Sequence, residues 1–103
     1  NDQVATIGLA QVNLMLRIDG LDPELILKNA KDNDLTSQLM CADIEIASGN
    51  NQAAFDRLLR AIKRFEGADR DKAKSHLISL FNLVDPTDPR LIKARSELAS
   101  LLF

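Results

Sequence analysis

The run from Ala42 to Ile62, ADIEIASGNNQAAFDRLLRAI, restricts the fold more than any other part of this chain. Small residues stand at Ala42, Gly49, Ala54 and Ala61, with Leu58 between the last two. Gly49–Asn50 reads as a turn between two helices, and the alanines fall where those helices would cross. Helices approach closely only where the side chains at the crossing are short. The spacing therefore predicts an antiparallel helix–turn–helix unit of the kind that stacks into arrays. Such arrays present surfaces and carry no chemistry of their own.

The rest of the chain reads as further helices. No period-two alternation bounded by hairpin turns is present. A first helix is predicted from about Asp2 to Ile18. Val4, Ile7, Gln11, Leu14, Met15 and Ile18 line one side, and Ala5, Leu9, Val12 and Leu16 a second. A helix apolar on two sides is expected to lie between other elements, and its second side exceeds what the next two helices can cover. Gly20 suits the left-handed position after its end. The second helix opens at Asp22–Pro23–Glu24: a cap, a proline whose missing N–H is no loss there, and an acid at the positive end of the dipole. It is expected to reach Lys31 and to bury some of Leu25, Ile26, Leu27 and Ala30.

Asn33 or Asp34 caps a third helix that extends to Ser48, with Leu35, Leu39, Ala42 and Ile46 on one stripe. The fourth runs from Asn51 to about Phe65, turns Ala54, Phe55, Leu58, Leu59, Ile62 and Phe65 inward, and is expected to stop at Gly67. The fifth is predicted from near Asp69 to Val84, with Ala73, Leu77, Leu80, Phe81 and Val84 as its stripe. Asp85–Pro86 breaks the pattern, because a residue before proline avoids helical backbone. Asp88–Pro89 repeats the cap-and-proline start. The sixth helix carries Leu91, Ala94, Leu98, Leu101 and Leu102 to the terminus. The expected fold is all-α: six helices in three antiparallel hairpins, forming a right-handed array and one domain over residues 1–103. Only the middle hairpin keeps the repeat spacing closely, as suits an array with atypical ends.

Composition narrows the function classes. At 46% hydrophobic and 27% charged residues the chain is ordinary globular protein, not a disordered tail. A net charge of −2 gives no electrostatic case for nucleic acid or an anionic membrane. No apolar run approaches the ~20 residues needed to span a bilayer. Cys41 and His76 are each the sole residue of their kind. They form no intrachain disulfide and no Cys/His metal cluster. No catalytic residue, metal site or cofactor is assigned. The start at Asn1–Asp2, without a leader, reads as an excised piece of a longer protein.

Three stretches carry a resemblance that covers essentially the whole chain: GLAQVNLMLRIDGLDP, ASGNNQAAFDRLLRAIKR and DRDKAKSHLISLFNLVDPTDPRLIKARSELASLLF. They resemble the C-terminal tetratricopeptide-like region of YbbN/CnoX-type bacterial proteins, which are thioredoxin-domain co-chaperones. The helix RDKAKSHLISLF, the DP-x-DP break and the ending R-x-x-L-A-x-L-L-F are its most specific parts. The resemblance implies an upstream thioredoxin-like domain, whose redox competence this segment, lacking any Cys-x-x-Cys, does not reveal. It also implies holdase action, with transfer of clients to chaperonin and DnaK-type machinery, and a bacterial cytoplasmic location.

Candidate binding residues follow from the unpaired faces. Ile92, Ala99, Leu102 and Phe103 form a flank of the last helix distinct from Leu91, Leu98 and Leu101, and an uncovered flank of this kind fits a groove on a partner. Arg57, Arg60 and Arg64 recur on the outer side of the fourth helix, as a solvated face or a dock for an acidic partner. Cys41 reads as a buried, inert thiol. His76 reads as a surface or boundary residue, because Ser75 and Ser79 beside it on one helix do not make a catalytic geometry. The first helix offers a further surface, for an upstream domain, an unfolded client or a second copy in a homodimer. The expected function is protein binding; the alternative is a spacer or dimerisation domain that holds no client.

Overall fold

The computed structural model describes the backbone of residues 2–102 and the side chains of residues 8–102. Six helices follow one another: α1 (Asp2–Ile18), α2 (Pro23–Asn29), α3 (Leu35–Ala47), α4 (Asn51–Arg64), α5 (Gly67–Phe81) and α6 (Pro89–Leu101). No strand occurs among the described residues. The fold is an all-α repeat array, as the spacing predicts, but of the three expected hairpins only α3–α4 is a closely packed pair: α1 and α2 each pack on α3, and α5 and α6 each pack on α4.

Capping sets three of the starts. Asp22, Asp34 and Asp88 hold extended backbone and accept hydrogen bonds from the N–H groups of Leu25, Ser37 and Arg90. Pro23 and Pro89 occupy the first turns they were expected to fill. Gly49, at φ +80°, makes the turn from α3 into α4, a conformation that costs any other L-residue energy.

Some boundaries differ from expectation. α2 ends at Asn29, because Ala30 has turned to extended backbone. Gly67 is not the stop of α4. That helix ends at Arg64, and Phe65 takes extended backbone with its N–H still bonded to the Ala61 carbonyl. The turn lays the Phe65 ring against the core. Gly67, at φ +60°, then opens α5 two residues before Asp69. α5 ends at Phe81, not Val84, and Leu83 and Val84 pack on the core from the turn that follows.

The core gathers around α4, which packs against α3, α5 and α6, while α1 and α2 lie on α3. Ala42 and Ala54 are fully buried and Ala61 is 3% exposed. These short side chains let α3 and α4 come together, as the sequence requires. Phe55, Leu58, Ile62, Leu77, Leu80 and Leu91 fill the space beside them. The rings of Phe55 and Phe81 meet edge to face at 5.3 Å, a favourable arrangement of their quadrupoles. Cys41 through Ile46 are all buried, so this stretch of α3 is enclosed on every side.

The outer elements are less covered. α1 is not sandwiched. Leu14 is buried and Ile18 partly so, but Gln11 and Met15, expected on the same inward side, face solvent. The second side, Leu9, Val12 and Leu16, is exposed. The side chains of Val4, Ala5 and Ile7 lie outside the described residues. On α2, Leu25 and Leu27 are exposed and Ile26 is half-buried. α5 and α6 each approach α4 more closely than they approach one another, and that divergence creates the groove described next.

Candidate interaction site

Two polar seams hold the helices in position. Asp43 on α3 is buried, with 4% of its side chain exposed. Its carboxylate accepts a fork from Arg17 on α1, Nε at 2.8 Å and Nη2 at 3.0 Å. It also accepts from Nε2 of His76 on α5 at 2.8 Å. A carboxylate only accepts, so the proton sits on Nε2. Burial pushes the Asp43 carboxyl upward, but the hydrogen bonds and charges of His76 and Arg17 outweigh it and hold the group below its ordinary value. One side chain thus ties α1, α3 and α5. His76 lies at the boundary, as expected, yet its role in this seam is not visible in its neighbours along the chain. Ser79 donates instead to the His76 carbonyl at 2.6 Å, so no Ser–His couple forms.

The second seam corrects the expectation for Arg57. It does not belong to a solvated outer face. Its guanidinium donates to Glu45 at 2.7 and 3.2 Å and to Gln38 at 2.9 Å, and all three residues are largely buried. Glu45 and Gln38 would be desolvated acceptors without it, and that draws Arg57 inward. Gln38 in turn donates to the Lys31 carbonyl. Arg60 and Arg64 remain exposed and border a notch of about 90 Å³ with Asp32, Gln38 and Arg57. Cys41 is fully buried, its Sγ 3.7 Å from the Ile26 carbonyl, and burial pushes its thiol up, away from reactive thiolate.

An apolar opening lies between α5 and α6. Ile78, Phe81 and Asn82 form one wall, and Arg95, Leu98, Ala99 and Leu102 the other, around about 290 Å³. Ile78 and Leu102 are exposed large hydrophobics at its mouth, 43% and 42% open. The Arg95 guanidinium lies 5.7 Å above the Phe81 ring, a cation–π contact that leaves one positive charge at the rim. Of the predicted flank, Ala99 and Leu102 line this groove. Ile92 is exposed on the same stripe two turns earlier, outside the lining. Phe103 lies outside the described residues. Ile78 and Arg95 were not predicted; each falls just off its helix's apolar stripe, where sequence spacing carries no signal. No helix of the described residues is long and apolar enough to cross a membrane, and no group of His, Cys, Asp and Glu among them could hold a metal ion.

Short consecutive helices packed in layers around α4, with the α3–α4 pair joined through small residues, define a helical-repeat scaffold. The family model described as tetratricopeptide repeat matches residues 26–103, and the chain belongs to that family. The matched stretch takes in α3 to α6 and leaves α1 outside.

The chain is also similar to uncharacterized proteins of Mycobacterium bovis and of two strains of Mycobacterium tuberculosis. Each is 28% identical over 100 residues, which is 96% of this chain and 33% of the relative. The chain thus spans about a third of the length of the curated relatives it matches. No solved structure matches it.

Proposed function

We propose that this domain is a protein-binding module of a thioredoxin-type co-chaperone, holding client proteins or recruiting chaperone machinery. The carrying observation is the α5–α6 groove, where Ile78 and Leu102 stand open beside Phe81 and Ala99. An apolar side chain of a partner seats between the helices, and Arg95 favours an acidic neighbour at the rim. Membership of the tetratricopeptide repeat family supports protein binding. The resemblance to YbbN/CnoX-type proteins supports the finer parts: an upstream thioredoxin-like domain, unfolded clients, chaperonin or DnaK-type partners, and the bacterial cytoplasm. The module works by docking alone, with no residue assigned to catalysis. Arg60 and Arg64 offer a lesser, charged contact.

Suppression of aggregation tests the reading. A reduced, unfolded model protein is the probe, and light scattering is the readout. The chain is expected to delay scattering, and Ile78→Glu with Leu102→Glu to abolish the delay while circular dichroism stays unchanged. No delay by the wild type, or full activity in the folded double variant, refutes the groove as a client site. The alternative, a dimerisation or spacer domain, draws on the exposed stripe of α1.

A further inference from the structure

We infer that the outward face of α1 is a self-association surface, and that its occupant is α1 of a second copy of this chain, running antiparallel. The inference takes up the dimerisation reading and gives it a face; it does not depend on client binding.

Leu9, Val12 and Leu16 lie three and four residues apart, on the side of α1 opposite the buried Leu14. That is the seam spacing by which one helix interlocks with another along its length. The three are 62%, 53% and 69% exposed, and Met15 beside them is 67% exposed. No other helix of the described residues leaves so many large apolar side chains open. Between Asp2 and Arg17 the helix carries no charge, and Arg17 is engaged by Asp43. Nothing on this face opposes an identical one.

The area decides what kind of pair results. The four side chains leave roughly 450 Å² of apolar surface open per copy. With the exposed Gly8, Gln11 and Asn13 alongside, two copies bury about 1,200 Å², the lower end for specific interfaces. The pair is therefore weak and reversible. Antiparallel helices oppose their dipoles. A two-fold axis between residues 12 and 13 then sets Leu9 of one copy against the partner's Leu16.

Sedimentation equilibrium of the whole 103-residue chain from about 10 µM to 1 mM tests this. A reversible monomer–dimer equilibrium is expected, and Leu9→Glu with Leu16→Glu is expected to remain monomeric with unchanged helical circular dichroism. Because both residues are exposed, Leu16→Ser serves as a milder second variant, weakening the dimer at least fivefold. Mixed Leu9→Cys and Leu16→Cys chains should cross-link unlike copies in preference to like ones. A strict monomer at the highest concentration overturns the inference, as does a dimer that survives the double substitution.

Discussion

Replacing Asp43 by Asn removes the charge that joins three helices while keeping the volume. The carboxylate accepts three hydrogen bonds, two from Arg17 and one from His76. Hydrogen bonds to a charged group contribute about 1.5–3 kcal/mol each, net of exchange with water. The amide oxygen of Asn still accepts one of them. Arg17 has 38% of its side chain exposed and regains solvent when released, whereas His76, at 15%, recovers less. The net loss is about 2–3 kcal/mol, below the ~3–5 kcal/mol found where both ions of a pair are enclosed. For a domain of this size that lowers Tm by roughly 10–20 °C.

Urea denaturation at neutral pH of the wild type, Asp43→Asn, Arg17→Gln and the double variant measures both the loss and its coupling. The double variant should be only slightly less stable than Asp43→Asn alone, since the two residues share one interaction. The pH dependence has a definite sign. Asp43 is held below its ordinary 3.8 in the folded chain, so its contribution is complete above that value and is lost as the pH falls through the folded pKa. The gap between wild type and Asp43→Asn should therefore narrow only below about pH 4. A loss under ~0.5 kcal/mol, or fully additive single variants, would falsify the seam as a stabilising element.

Other perturbations follow from single contacts. Gly49→Ala forces an alanine to φ +80° and should cost about 1–2 kcal/mol by thermal melting, although its Cβ meets no neighbour. Ala54→Leu adds bulk where no solvent reaches and should destabilise by ~1–3 kcal/mol, separating α3 from α4. Arg57→Leu strands the buried Glu45 carboxylate and should cost about 2–4 kcal/mol, while Arg60→Leu on the exposed turn should cost under ~0.5 kcal/mol. Equal effects of the two arginine substitutions, read by urea titration, would return Arg57 to the solvated face.

The sequence made helices, caps and the α3–α4 contact legible because those depend on local chemistry and spacing. Asp22, Asp88 and the prolines after them announce their helices, and Ala42, Ala54 and Ala61 announce a close crossing. The polar seams were not legible, because Asp43 and His76 are 33 positions apart and nothing along either helix marks their meeting. Arg57 was misplaced for the same reason: a helical wheel puts it outside with Arg60 and Arg64, and only the acceptors on α3 bring it in. The groove was half legible. The spare flank of α6 can be read from Ala99 and Leu102, but its other wall exists only because α5 and α6 diverge, and Ile78 gains its meaning from that divergence.

Docking of partners between α5 and α6 is open to direct measurement. A titration of the isotopically labelled chain with a reduced, unfolded model protein, followed by amide chemical shifts, addresses it directly. Shift changes are expected to concentrate at Ile78, Phe81, Asn82, Ala99 and Leu102 and to be absent in the Ile78→Glu, Leu102→Glu variant. Shifts confined to α4 around Arg60 and Arg64, or none anywhere at saturating probe, would contradict it.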